Sequence, residues 1–360
     1  MSKCRMLYNN LITSEDMITV SSLRLGTVTT ALKEGTGSAV MNTTGNYSGA
    51  VDKEYTIEID SVAGGAEVGQ ATFRWSDGGG LWNASGVTTP AAATELNNGV
   101  YIDFDSGSGD DFVVGDKWYF KAINLFNAGK MITWRRDDRY RSSGLSSPNT
   151  ITIDLGSAQE VKALALYDHN FTSGATLLLE ADDAATFDSD GGSAQFSEAV
   201  TWNDDKILHY LSAATTKRYW RISITDTANT DSYLEIGELF LGSYLELTRN
   251  FAYEPNTDFE FISSKEKNEY GVEFDRFGNI QEKITLNFKG LPDTDITYIK
   301  TMLAAIGTRS TGVFRPIYFN EDYAVPASFW LMKITSLSRV RPFIDQNNIT
   351  LVLSEVMRSV

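Results

Sequence analysis

Apolar and polar side chains alternate with a period of two over residues 55–60, 71–75, 100–104, 118–122, 150–154 and 219–225. Each stretch puts its apolar side chains on one face, which predicts half-buried antiparallel strands. Gly64 with Gly65, Gly78 to Gly80, and Gly107 with Gly109 punctuate these runs and predict turns at sandwich-like spacing. The fold predicted is mainly β. One segment has a different period: after Asp293, the residues Ile296, Ile299, Met302, Leu303 and Ile306 recur three or four apart. Asp and Thr at its amino end can cap a helix and Gly307 can end it, and the apolar stripe reads as core packing. The helix lies between predicted strands 281–288 and 312–319, so the last third reads as a sheet covered by a helix.

A chain of 360 residues is long enough for two to three domains of about 150 residues. Its 42% hydrophobic and 22% charged content is that of an ordinary globular protein. The longest apolar runs fall far short of the roughly 20 residues a membrane span needs, so membrane insertion is not expected. The first residues hold no apolar stretch ahead of a small-residue cleavage site, which predicts synthesis in the cytoplasm without secretion. Cys4 is the sole cysteine, so no internal disulfide forms. A net charge of −16 repels a phosphate backbone and argues against a nucleic-acid partner. That charge is uneven: residues 27–123 carry 5 basic and 13 acidic side chains, and residues 247–360 carry 13 and 14. A nearly neutral last third can approach copies of itself.

The segment from Asn149 contains Asp154-Leu155-Gly156, then an apolar run to Tyr167, then Arg218-Tyr219, and closes on Ile236-Gly237-Glu238-Leu239. With Trp134 ahead of it, this order resembles the discoidin or galactose-binding-like β-sandwich. The opening such domains have, Asn10-Leu11-Ile12-Thr13, stands about a hundred residues too early, so residues 1–26 and 124–246 are read as one sandwich into which 27–123 is inserted. Three domains in simple succession is the rival reading. The insert, with Gly45, Gly49, Trp75, Trp82, Gly86 and the Gly115-to-Trp118 phrase, is similar to a small β module of bacteriophage virion proteins. The order of elements in 247–360 resembles a β plus helix assembly domain of tail-tip proteins. Together these resemblances imply a phage tail or baseplate component.

Candidate chemistry is sparse. His169 adjoins Asp168, but neighbours on a strand face opposite sides, and His209 sits among apolar residues. Both are read as structural, and no Gly-x-Ser-x-Gly elbow is present. Asp103, Asp105, Asp110 and Asp111 flank a Gly-Ser-Gly turn, and Asp182, Asp183, Asp188 and Asp190 flank another loop. Both sets offer oxygens for a structural calcium, but neither has the spacing of a twelve-residue calcium loop. No other cofactor is expected. Gly78 to Gly80 lacks a following Lys-Ser or Lys-Thr, so it is a turn and not a phosphate loop. Arg135, Arg136, Arg139 and Arg141 suit carboxylates on a partner or an acidic glycan, or neutralise themselves with Asp137 and Asp138. Trp82 beside Asn83, in a Gly-rich turn, is the best-placed pair to stack on and hydrogen-bond a sugar, although its place in the insert's pattern equally suits packing.

The function expected is therefore a non-enzymatic virion structural protein of a tail tip or baseplate, located in the virion. Its partners are copies of itself and other tail proteins, held through the C-terminal segment, with Phe251, Phe259 and Phe261 as contact residues. The competing expectation is a carbohydrate-binding adhesin that contacts a host surface glycan. A third, a glycan-degrading enzyme, lacks the internal repeats of long β-helical depolymerases.

Overall fold

The computed structural model describes residues 3–49, 51–78, 80–145, 147–252, 255–267, 273–307 and 315–357, with side chains for all of these except 262–267 and 273–279. The fold is mainly β. The chain forms two compact units, Met1–Ser22 together with Ala128–Val360, and Leu23–Asn127. The sequence reading set these joins at 26/27 and 123/124.

In the first unit, the strand Asn149–His169 pairs with Lys206–Thr225 along almost its whole length, from Asn149 opposite Ile224 to Tyr167 opposite Lys206. The alternating stretch 150–154 and the apolar run to Tyr167 are one strand with a corner. The corner is the Asp-Leu-Gly motif: Gly156 has φ +74° and the register shifts between Asp154 and Gln159. Its first half joins Thr176–Asp182 and Phe196–Val200 through Lys206–Thr225, while its second half pairs with Glu235–Leu245. A long strand that bends in this way contributes to both layers of a sandwich.

Beyond Glu235–Leu245 the sheet continues. The strand Arg5–Asn10 pairs with it on one side and with Ile317–Asn320 on the other. Next come Phe329–Phe343, Gln346–Glu355, Glu273–Leu291 and, outermost, Asn256–Lys267. Residues 247–360, expected as a domain of their own, thus lie in the same compact unit as the sandwich strands. The N-terminal strand causes this by filling the ladder between the two groups. Its backbone donors and acceptors are used on both sides, which period-two patterning alone does not reveal.

Helix α1, Asp293–Ile306, buries Ile296, Ile299, Met302 and Ile306 against Leu286, Phe319, Met332 and Leu351. The capping differs from expectation. Asp293 is the first helical residue, Pro292 precedes it without a side-chain cap, and Asp295 accepts hydrogen bonds from the Thr248 amide and hydroxyl at 3.0 and 2.6 Å. The Gly307 amide does close the helix on the Leu303 carbonyl. The predicted strand start at Gly312 lies outside the described residues; the strand is seen at Ile317–Asn320.

The second unit is a sheet of nine strands around an aromatic core. Phe104 meets Phe112 and Trp118 edge to face at 5.1 and 5.3 Å, and Tyr55 stacks on Phe120 at 5.0 Å. Of the stretches that alternate in sequence, those at 55–60, 71–75, 100–104 and 118–122 fall, to within one residue, in Lys53–Ser61, Thr72–Ser76, Val100–Asp105 and Lys117–Ile123.

Candidate functional site

Trp82 lies in the turn between Thr72–Ser76 and Ala84–Thr88. Asn83 builds this turn. Its amide N–H donates to the Trp75 carbonyl at 2.8 Å, and its side-chain oxygen accepts from the Asp77 N–H at 3.2 Å. Trp82 is 40% exposed, and one ring face rests on the Arg74 guanidinium, 4.3 Å from the ring centroid. Arg74 is anchored by Glu58 at 2.7 Å. The cation contacts the ring while 40% of the residue stays in solvent, which leaves ring surface for stacking on an apolar sugar face. Gly78 and Gly80 supply left-handed φ of 92° and 72°, and Gly79 lies outside the described residues. Asn83 thus has a structural task, and Trp82 is not in the unit's core.

The acidic loop is organised differently from the calcium reading. Asp103 and Asp105 both accept from the Asn42 side-chain amide, at 2.9 and 2.8 Å. Asp111 is buried and accepts from the amides of Gly107 at 2.7 Å and Val68 at 3.2 Å. Burial alone would raise its pKa, but these N–H donors hold it below the usual value. Asp110 is exposed, and its backbone carbonyl accepts from Ser38. The four carboxylates do not converge, and among the described residues no group of three or more His, Cys, Asp or Glu is gathered for a metal. In the second acidic loop, Asp182 likewise accepts the Ala184 and Ser189 amides, at 3.0 and 3.1 Å. These aspartates close loops by taking backbone donors.

The Arg cluster is engaged within the chain. Arg136 forks onto Asp168 at 2.8 and 2.9 Å and also reaches Glu355 at 3.2 Å. Arg139 lies 3.2 Å from Glu235 and 3.8 Å from Asp168. The neighbours expected to neutralise the cluster, Asp137 and Asp138, are therefore supplemented by carboxylates far away in sequence. Asp168 is committed to Arg136, while His169 stacks on Phe171 at 4.4 Å and accepts the Phe171 N–H at Nδ1. Burial lowers the His169 pKa to about 4. His209 contacts Glu198 at 2.9 Å, a partner that its apolar sequence neighbours did not suggest.

The sandwich motif residues have structural tasks. Arg218 grips Asp154 with two bonds of 2.8 Å, and Asp154 also accepts the Gly156 N–H. Gly237 must be glycine because a Cβ there would meet Arg139 at 2.5 Å and Asp168 at 2.9 Å. Glu238 is 1% exposed, with Oε1 unpartnered among the described residues. Burial pushes its pKa well up, and Asp138 and Asp168 add to this against the N–H groups of Arg135 and Trp134.

Of the proposed contact residues, Phe251 is corrected. It is 6% exposed and packs edge to face on Phe288 at 6.1 Å, inside the core under helix α1. Phe259 and Phe261 are 61% and 73% exposed on the outermost strand, and Ile280, opposite Phe261, is 55% exposed. The sequence reading did not single out a cleft of about 610 Å³ in the first unit, lined in part by Arg5, Trp202, Tyr210 and Tyr323. Its walls come from segments far apart in the chain, so no local motif marks it.

No protein-family model and no curated protein matches the chain. Solved structures give partial likenesses. A Ruminococcus gnavus GH29 fucosidase in complex with fucose is similar at 16% identity over 34% of this chain and 23% of its own, with a TM-score of 0.27. Chitosan-binding module 2 of a Paenibacillus sp. IK-5 chitosanase/glucanase, in complex with chitotriose, is similar at 19% identity over 34% of this chain and 89% of its own, with a TM-score of 0.27. A Streptococcus pneumoniae fucose-binding module is similar at 16% identity over 34% and 84%, with a TM-score of 0.25.

Proposed function

We propose that this chain is a non-catalytic saccharide-binding protein. The observation that carries this is the Trp82 ring, held against Arg74 and partly exposed. Aromatic faces bind sugars through apolar C–H contacts, and the fixed ring loses little freedom on binding. The test is a printed glycan array that includes chitotriose and fucosylated glycans, probed with the full chain and with Trp82→Ala. Loss of a subset of signals in the variant supports the reading; identical arrays sink it. Release of reducing ends from a bound glycan would overturn the non-catalytic part.

A second reading, a virion tail or baseplate component that assembles through its C-terminal segment, is favoured by one observation. Phe259, Phe261 and Ile280 expose a contiguous apolar face on the outer hairpin of the sheet. Exposed apolar edges of this kind are usually covered by a partner. On this reading the units that bear the sandwich and the insert would display the saccharide contact.

A further inference from the structure

The cleft in the first unit joins four stretches of chain. Trp202 and Asn203 follow the strand Phe196–Val200, His209 and Tyr210 lie on Lys206–Thr225, Arg5 on Arg5–Asn10, and Tyr323 in the loop after Ile317–Asn320. Its volume of about 610 Å³ is within the range of small-molecule sites, roughly 300–1,000 Å³.

The aromatic walls are held in place from behind. The Trp202 indole N–H donates to the Phe171 carbonyl at 3.1 Å, and the Tyr210 hydroxyl donates to Asn320 at 3.1 Å. The Arg5 guanidinium lies over the rings of Tyr210, Tyr244 and Tyr323 at 4.4, 4.2 and 4.1 Å, which ties the loop tyrosine to the two strand tyrosines. Such a cleft is preorganised, so a ligand orders few side chains on entering.

The two basic lining groups are already matched. Arg5 Nε is 2.8 Å from Glu246, and His209 Nε2 is 2.9 Å from Glu198. An incoming carboxylate or sulfate would have to compete with these carboxylates, whereas a neutral ligand would not. The Asn203 amide donates to the Lys206 carbonyl at 2.9 Å, which leaves its oxygen to accept, and Thr201 and Tyr323 are exposed, hydroxyl-bearing residues of the lining. Fixed rings together with neutral donors and acceptors suit a ligand that has apolar faces and a hydroxyl edge.

We propose that this cleft is a second saccharide site, selective for neutral sugars. It shares the ligand class of the Trp82 reading and none of its residues, so the two fail separately.

The test uses the full chain carrying Trp82→Ala on an array of neutral, sialylated and uronate-containing glycans. A second variant adds Ala327→Trp, which fills the cleft from an exposed lining position, and unchanged thermal unfolding checks its fold. The expected result is that Trp82→Ala retains neutral-glycan signals and that Ala327→Trp weakens them at least tenfold. Tyr323→Ala, which removes one wall, should weaken them as well. A blank array for Trp82→Ala, signals unaffected by Ala327→Trp, or signals confined to acidic glycans would each overturn the proposal. If only the wild type binds, the cleft fails and the Trp82 reading stands. If Trp82→Ala matches the wild type and Ala327→Trp abolishes binding, the cleft stands and Trp82 fails.

Discussion

Met6 and Leu7, adjacent on one strand, enter two different cores. Met6 packs with Met302, Phe319 and Met332 under helix α1, and Leu7 packs with Tyr167, Phe240 and Tyr318 beside the sandwich. Alternation along Arg5–Asn10 sends one side chain to each, so this strand couples the two groups of strands mechanically.

Leu7 is fully buried, and Leu7→Ala is expected to destabilise the first unit by about 2–5 kcal/mol, as buried Leu truncations do. Urea unfolding measures this. Phe261→Ser, at an exposed position, should stay within about 0.5 kcal/mol. Equal effects would show that the N-terminal strand does not bear this load.

Glu238 predicts a pH dependence. Its raised pKa means that the folded chain keeps a proton the unfolded chain has lost, so stability is highest below about pH 4.3 for this group and falls as pH rises from there. His169, lowered to about 4, acts in the opposite sense. Its neutral form is favoured by folding, and its contribution is lost as pH falls from about 6.5 towards 4. The two slopes oppose each other, so the Glu238 part is read as the difference between the wild type and Glu238→Gln from about pH 4.3 upward. Glu238→Gln should remove this slope and be more stable than the wild type at alkaline pH, where the buried carboxylate is charged. A variant with the wild-type slope would refute the assignment.

Cys4 is 1% exposed, and burial, reinforced by Glu246 and Glu321, pushes its thiol up to about 12. Little thiolate exists at about pH 8, so the native chain should resist an aromatic disulfide reagent until urea unfolds the first unit. Stoichiometric labelling within seconds under native conditions would contradict this burial.

The assembly reading predicts that Phe259→Ser with Phe261→Ser lowers the sedimentation coefficient of the wild-type protein at high concentration without changing thermal unfolding. Monomeric behaviour of the wild type would remove the reason for the apolar hairpin face.

Helix α1 was legible to its last residue because its apolar residues are spaced for one face and Gly307 follows them. The strands Lys53–Ser61, Thr72–Ser76, Val100–Asp105 and Lys117–Ile123 were legible because each buries one face, whereas Leu32–Glu34, Ala84–Thr88 and Thr94–Asn97, which bury no alternating face, were not. Trp82 was singled out from a Gly-rich turn, but Arg74 beneath it was not, since a guanidinium on the preceding strand, eight residues earlier, carries no sequence sign of stacking. Phe251 and Phe259 look alike in sequence; an isolated bridge to Phe288 buries one, and the outer position of the hairpin exposes the other.

Local periodicity and turn chemistry therefore determined where several of the strands and the helix run and that β structure dominates, because those depend on neighbours a few residues away. Only the tertiary structure decided that the N-terminal strand closes a ladder with residues more than two hundred positions later, that the aspartates take backbone amides, and that Arg5, Trp202, Tyr210 and Tyr323 share one cleft. Such pairings depend on which distant surfaces satisfy each other's hydrogen bonds and apolar faces, and residue order alone does not state that.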